Sequence, residues 1–137
     1  MKSYTNIEQS KVLSEILPLE SADMHYNNGS CRGVDYTEHF SAELMPYQEA
    51  LHLMKIHKTN FMFQVIPCWS LASLLGVIPY NITFNKDVYR FKLVKFSGHW
   101  ECYHENFGSI STEIFKADNP IDACYNIILK LHELNLL

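Results

Sequence analysis

The chain has 137 residues, 47% of them hydrophobic and 13% aromatic, which fits a packed core rather than a disordered tail. That length suits one compact domain spanning 1–137, able to bury about 68% of the surface its unfolded chain exposes, so neither a metal nor a disulfide is needed to fold it. With 11 basic against 15 acidic side chains the formal charge is −4, and the one local basic cluster, Arg90, Lys92 and Lys95, is interrupted by apolar residues; nucleic acid is therefore not an expected partner.

The first six residues run straight into a polar helix, with no apolar leader segment. Thr5 and Glu8 are spaced as a capping box, and Ile7, Val12, Leu13, Ile16 and Leu17 follow at roughly helical spacing until Pro18 ends the run. Residues 21–41 hold Asn27-Asn28-Gly29-Ser30 and Gly33, turn chemistry that predicts a loop with a short extended piece. A second helix is predicted over about 46–57, starting at Pro46 and carrying Tyr47, Ala50, Leu51, Met54 and His57 on one side.

Residues 61–66 read as a short buried strand. Pro67 then suits a helix start, with Trp69, Ala72 and Leu75 sharing a face, Gly76 suiting a left-handed closing residue and Pro79 forbidding continuation. Beyond lies strand and turn. Residues 82–84 lead to the turn Asn85-Lys86-Asp87, and over 88–96 Tyr89, Phe91 and Leu93 alternate with Arg90 and Lys92. Ser97-Gly98 is a hairpin loop, 100–104 returns the chain, and 109–115 makes a further strand.

The last element is the clearest. Asn119 can cap a helix, Pro120 sits where its missing N–H costs nothing, and Asp122 favours the positive end. Ile121, Cys124, Ile128 and Leu131 line the inner side of that helix, which runs from 119 to about 134; Asp122, Asn126, Lys130 and Glu133 line the outer. The expected fold class is α+β: a small, mainly antiparallel sheet of about three to five strands with helices on one face. Trp69, Leu75, Tyr89, Phe91, Leu93, Ile121, Cys124, Ile128 and Leu131 are its expected structural residues.

Seven histidines invite a metal hypothesis, and His99, Cys102 and His104 are its best cluster. Thiolate and imidazole are zinc's preferred ligands, and Cys102 and His104 share a strand face; His99 falls on the other, and no third ligand has recognisable spacing. The plainer reading makes Trp100, Cys102 and His104 one side of a half-buried strand, with His104 at its wetter end. Cys68, just before the expected helix start, is a second candidate as a nucleophile with lowered pKa, set against its apolar neighbours, which suit a packed thiol. Asp23 beside His25 could make an acid–base pair, although an aspartate in a loop more often bonds backbone. The four cysteines, Cys31, Cys68, Cys102 and Cys124, form no C-x-x-C pair, which suits reduced thiols and a cytoplasmic location. No phosphate loop, GxSxG elbow or HExxH is present, no cofactor is expected, and no window approaches the length of a membrane span. Helix, three strands and helix over 69–134 match the order of a double-stranded-RNA-binding domain, but Asp118 and Asp122 stand where phosphate-binding lysines belong. Dimerising modules, such as antitoxin-type and phage accessory proteins, use the same layout.

Ser21-Ala22-Asp23-Met24, Ile66-Pro67-Cys68-Trp69-Ser70-Leu71 and Ala117-Asp118-Asn119-Pro120-Ile121-Asp122-Ala123-Cys124-Tyr125 together resemble a family of short uncharacterised proteins from gut bacteria and their phages or mobile elements. Its members share a P-[AC]-W-S-L helix and an ADNP-type start to a final helix. The likeness covers the first 25 residues and about 66–137, which leaves 26–60 as an insertion. It implies a small intracellular accessory protein and transfers no catalytic residue. The expectation is a non-enzymatic interaction module, with self-association into a homodimer as its expected contact and no membrane. The alternative is a small enzyme or metal protein using His99, Cys102 and His104 or Cys68, and a nucleic-acid-associated regulator ranks third.

Overall fold

A computed structural model describes residues 2–28, 43–46, 64–110 and 113–137. The fold class is α+β, and the chain divides into two compact units, one of residues 6–70 and one of residues 1–5 with 71–137, where a single domain was expected.

In the unit of residues 6–70, helix α1 spans Ile7–Ile16. Its capping box lies one residue later than the sequence spacing suggested: Asn6 accepts from the Gln9 N–H, and the Gln9 side chain accepts from the Asn6 N–H. Thr5, the expected cap, is buried instead. Leu13 and Leu17 are buried, but Val12 is exposed and Ser10 takes its inward place. The short extended piece expected within 21–41 lies near its start. A 3-10 turn occupies Leu19–Ser21, and strand β1, Met24–Asn28, is the middle of a three-stranded antiparallel sheet between β2, Glu43–Pro46, and β3, Gln64–Cys68. The expected insertion 26–60 thus contributes strands to this sheet. Pro46, the predicted helix start, is the last residue of β2; 47–57, where that helix was placed, lies outside the described residues, as do 61–63 of the predicted strand.

Pro67 does not start a helix. It sits in β3 opposite His25, on a strand paired through β1, an edge position where a missing N–H is tolerated. Trp69 follows the strand, fully buried, and its Nε1–H donates to the Ser21 hydroxyl at 2.9 Å, which in turn donates to the Pro18 carbonyl at 2.6 Å. Satisfying the indole N–H is what lets so large a side chain be buried completely.

In the other unit, helix α2 spans Leu71–Val77, with Gly76 inside it rather than closing it in the left-handed region. Leu74 is its buried residue, whereas Leu75 is exposed. A five-stranded antiparallel sheet follows, with β4 (Asn81–Phe84), β5 (Asp87–Phe96) and β6 (His99–Asn106) in order. The predicted strand 109–115 is broken: β7, Ser109–Ile110, pairs with the end of β6, and β8, Phe115–Ala117, pairs with its start. Asn85-Lys86 and Phe107-Gly108 turn two of the hairpins with both residues at positive φ, as two-residue hairpin loops require. Gly98, at φ +91, serves the third.

Helix α3, Pro120–Glu133, is capped by Asn119, whose side chain accepts from the Asp122 N–H, as the sequence implied. It packs on β6 and β8, and α2 packs against it. Ile121, Cys124, Ile127, Ile128 and Leu131 are fully buried. Burying each such side chain contributes about 1.5–3 kcal/mol, enough to hold the helix on the sheet.

Candidate functional site

Cross-strand partners share a face of a sheet, so the register sorts the side chains of β5 and β6. Leu93, Cys102 and Phe115 form one row, with Phe91 and His104 beside them. This is the inner face. The Cys102 thiol donates to the Ala123 carbonyl of α3 at 3.0 Å, and Tyr89, Phe91 and Leu93 are half-buried there. Trp100 belongs to the same face, opposite Lys95, whose ammonium lies 5.8 Å from the indole centroid.

His104 was expected at the wetter end of its strand. It is fully buried instead. Its Nε2–H donates to the Pro79 carbonyl at 2.8 Å, its ring lies 5.5 Å from that of Phe91, and Nδ1 has no hydrogen-bond partner. Burial holds its pKa below the usual histidine value, partly countered by the Pro79 bond. The imidazole is therefore a neutral core group with one satisfied nitrogen.

The metal cluster read from the sequence does not assemble. His99 faces outward while Cys102 and His104 face the helix, and among the described residues no group of three such ligands converges. The Cys102 thiol is pushed up by its hydrogen bond with Cys124 and by burial, which keeps it protonated. Cys68 is likewise no activated nucleophile: it lies in β3, fully buried, and burial with the nearby Asp23 charge raises it to about 12. Asp23 follows the plainer reading and bonds the backbone N–H of Ser70 at 2.9 Å and the Ser70 hydroxyl. Burial lowers the pKa of His25, with Asp23 opposing, so no poised acid–base pair results. At the start of α3, Asp122 pairs with Lys2 at 2.6 Å and accepts from the Asn119 amide, which leaves no basic cradle for phosphate.

What remains is the outer face of the five-stranded sheet. Along β6 it presents His99, Glu101, Tyr103 and Glu105; opposite them on β5 stand Phe96, Val94, Lys92 and Arg90. One Glu101 oxygen accepts from His99 at 2.9 Å and Lys116 at 3.1 Å, and these bonds, the His99 bond foremost, hold its pKa below the usual glutamate value. Phe96 stacks on His99 with centroids 5.2 Å apart, yet is 45% exposed. At the other end Arg90 and Glu105 stand opposite each other, and Lys92 reaches Glu105 only at 3.8 Å. A groove of about 390 Å³ opens here, lined by Val88, Arg90, Lys92, Glu105, Asn106 and Phe107.

The face carries two rows of charge, basic on β5 and acidic on β6, with aromatic rings between and beyond. The helix α3 lies against the opposite side. Sequence reasoning named Arg90 and Lys92 only as a weak basic cluster and passed over Phe107 and Tyr103. The alternation of β5 and β6 was the available signal; the missing information was which side the helices cover. In comparisons with protein-family models, curated proteins and solved structures, nothing matches this chain.

Proposed function

We propose that this protein is a non-enzymatic interaction module that self-associates through the outer face of its five-stranded sheet. The observation that carries the reading is the paired rows of opposite charge, Arg90 and Lys92 beside Glu101 and Glu105, set among the partly exposed rings of Phe96, His99 and Tyr103. Oppositely charged rows side by side are self-complementary, because a second copy turned about a two-fold axis lays its basic row over the acidic one. Exposed aromatic surface supplies the apolar contact that such an interface needs at its centre. The candidate groups for catalysis or metal binding are divided between two faces, or buried and protonated, which weighs against the enzyme reading. The resemblance to mobile-element proteins supports reading the module as a small intracellular accessory protein.

Sedimentation velocity tests the reading. A dimer is expected at tens of micromolar, an order of magnitude typical of weak specific association. A monomer at about 100 µM would sink it. Elemental analysis addresses the metal alternative, where one zinc per chain would revive it, and salt-sensitive retention on heparin would favour a nucleic-acid role.

A further inference from the structure

Among the described residues, Phe107 combines a positive φ with full exposure. It occupies the first place of the two-residue turn between β6 and β7 at φ +46, with Gly108 following at +86. Such a turn favours Asn-Gly, because a bulky side chain at positive φ crowds its own backbone. The ring gains no burial to offset that strain, being fully exposed. It stands at the mouth of the groove with Val88, Arg90, Lys92 and Glu105. An exposed ring in a costly conformation beside a basic–acidic groove has the character of an interface anchor, the role in which aromatic and arginine side chains dominate binding.

Resting on the self-association proposed above, we infer how the second copy sits: about a two-fold axis parallel to the strands and midway between β5 and β6, with Phe107 of each copy in the groove of the other. The register supports this choice of axis. Arg90 lies directly opposite Glu105 within the chain, and Phe96 opposite His99. A rotation about that axis carries β5 of one copy over β6 of the other without shifting position along the strand. Arg90 of each copy therefore meets Glu105 of the other, and Phe96 meets His99. Lys92 and Tyr103 face one another between them. Glu101 is already hydrogen-bonded to His99 and ion-paired with Lys116, so it tolerates Val94 opposite. The same rotation brings the turn at Phe107 over the far end of β5, where Val88 and Arg90 line the groove. Like charges never meet in this arrangement.

The test uses the full chain and three variants, each checked for native circular dichroism. R90E and E105R should each weaken dimerisation by roughly thirtyfold or more, because each places like charges across the interface twice. An equimolar mixture of the two should restore a heterodimer of near wild-type affinity, since both reciprocal contacts are again of opposite sign. F107N separates a contact role from a structural one: asparagine tolerates the left-handed region, so the melting temperature should rise while the dimer weakens by about tenfold. A wild-type dimer unaffected by R90E and E105R overturns this arrangement while leaving self-association standing. So does a mixture that stays monomeric when both single variants are monomers, or an F107N variant that dimerises as well as the wild type. A wild-type chain that never dimerises overturns the arrangement and the proposed function together.

Discussion

The two faces of the five-stranded sheet are built from the same two strands, alternate residue by residue, and have opposite fates. Inward, Leu93, Cys102, His104 and Phe115 share the face on which α3 packs, and polar atoms there find backbone partners: the Cys102 thiol at Ala123, the His104 ring at Pro79. Outward, Arg90, Lys92, Glu101 and Glu105 partner one another across the strands or reach into solvent. The inner face holds the fold together and keeps Cys102 and His104 neutral. The outer face keeps the charges of Arg90 and Lys92 exposed, while Glu101 is held by His99 and Lys116. Chemistry that looked catalytic in the sequence, His104 and Cys102, belongs to the first; chemistry that looked incidental, Arg90 and Glu105, belongs to the second.

That division can be broken most forcefully in the buried positions. Trp69→Ala should cost about 3–5 kcal/mol, since the indole is fully enclosed and its N–H satisfied; chemical denaturation measures it, and a negligible loss would mean that the ring is not part of a core. Ile128→Ala on α3 should cost about 2–5 kcal/mol, while Val88→Ala on the outer face should stay within about 0.5 kcal/mol. Equal losses at the two positions would erase the distinction between the faces.

Accessibility to alkylation gives a middle-sized contrast. In a Cys31→Ser variant, Cys68, Cys102 and Cys124 should resist iodoacetamide at pH 8 in the folded protein and react fully in urea, because all three are buried and the first two have raised thiol pKa values. Rapid labelling of the native protein would contradict the inner-face assignment of Cys102.

A pH series sharpens the comparison further. His104 and His25 both have pKa values lowered by burial in the folded state, so between those values and the unfolded value of 6.5 the unfolded chain binds more protons. Stability should therefore be full above pH 6.5 and fall as the pH drops toward their folded values. Replacing His104 with Phe should flatten part of that slope; an unchanged slope would show that its ring is not desolvated. Outer-face Glu101 acts lower, its depressed pKa adding stability above the unfolded carboxylate value that is lost as pH falls through the folded one. The smallest effect is expected at Lys2→Ala, about 0–1 kcal/mol for a partly exposed ion pair with Asp122.

Legibility followed sequence distance. The cap at Asn119 and the helix after it could be read because capping, Pro at the first turn and the 3.6-residue stripe are local signals. The alternation of β5 was local too. Pro67 misled because a proline before an apolar run suits a helix start, and only the pairing of β3 with β1 showed it in an edge strand. The Thr5 box failed by one residue, since Asn6 and Gln9 offer the same chemistry at the same spacing. The candidate site was the least legible part, because Arg90 and Glu105 are far apart in the chain and Phe107 stands where such a turn usually has Asn.

By itself the sequence determined the α+β class, the period-two split of β5 and β6, and the start of the last helix, all consequences of short-range stereochemistry. Tertiary structure decided which half of each alternating strand is covered. Period two separates residues into two sets without saying which set meets a helix. Docking α3 against Cys102 settled that, burying His104 and leaving Arg90, Glu105 and Phe107 on the other side. The physical reason is that burial is a property of long-range packing, and the same alternating strand satisfies its hydrogen bonds equally well whichever face is turned to water.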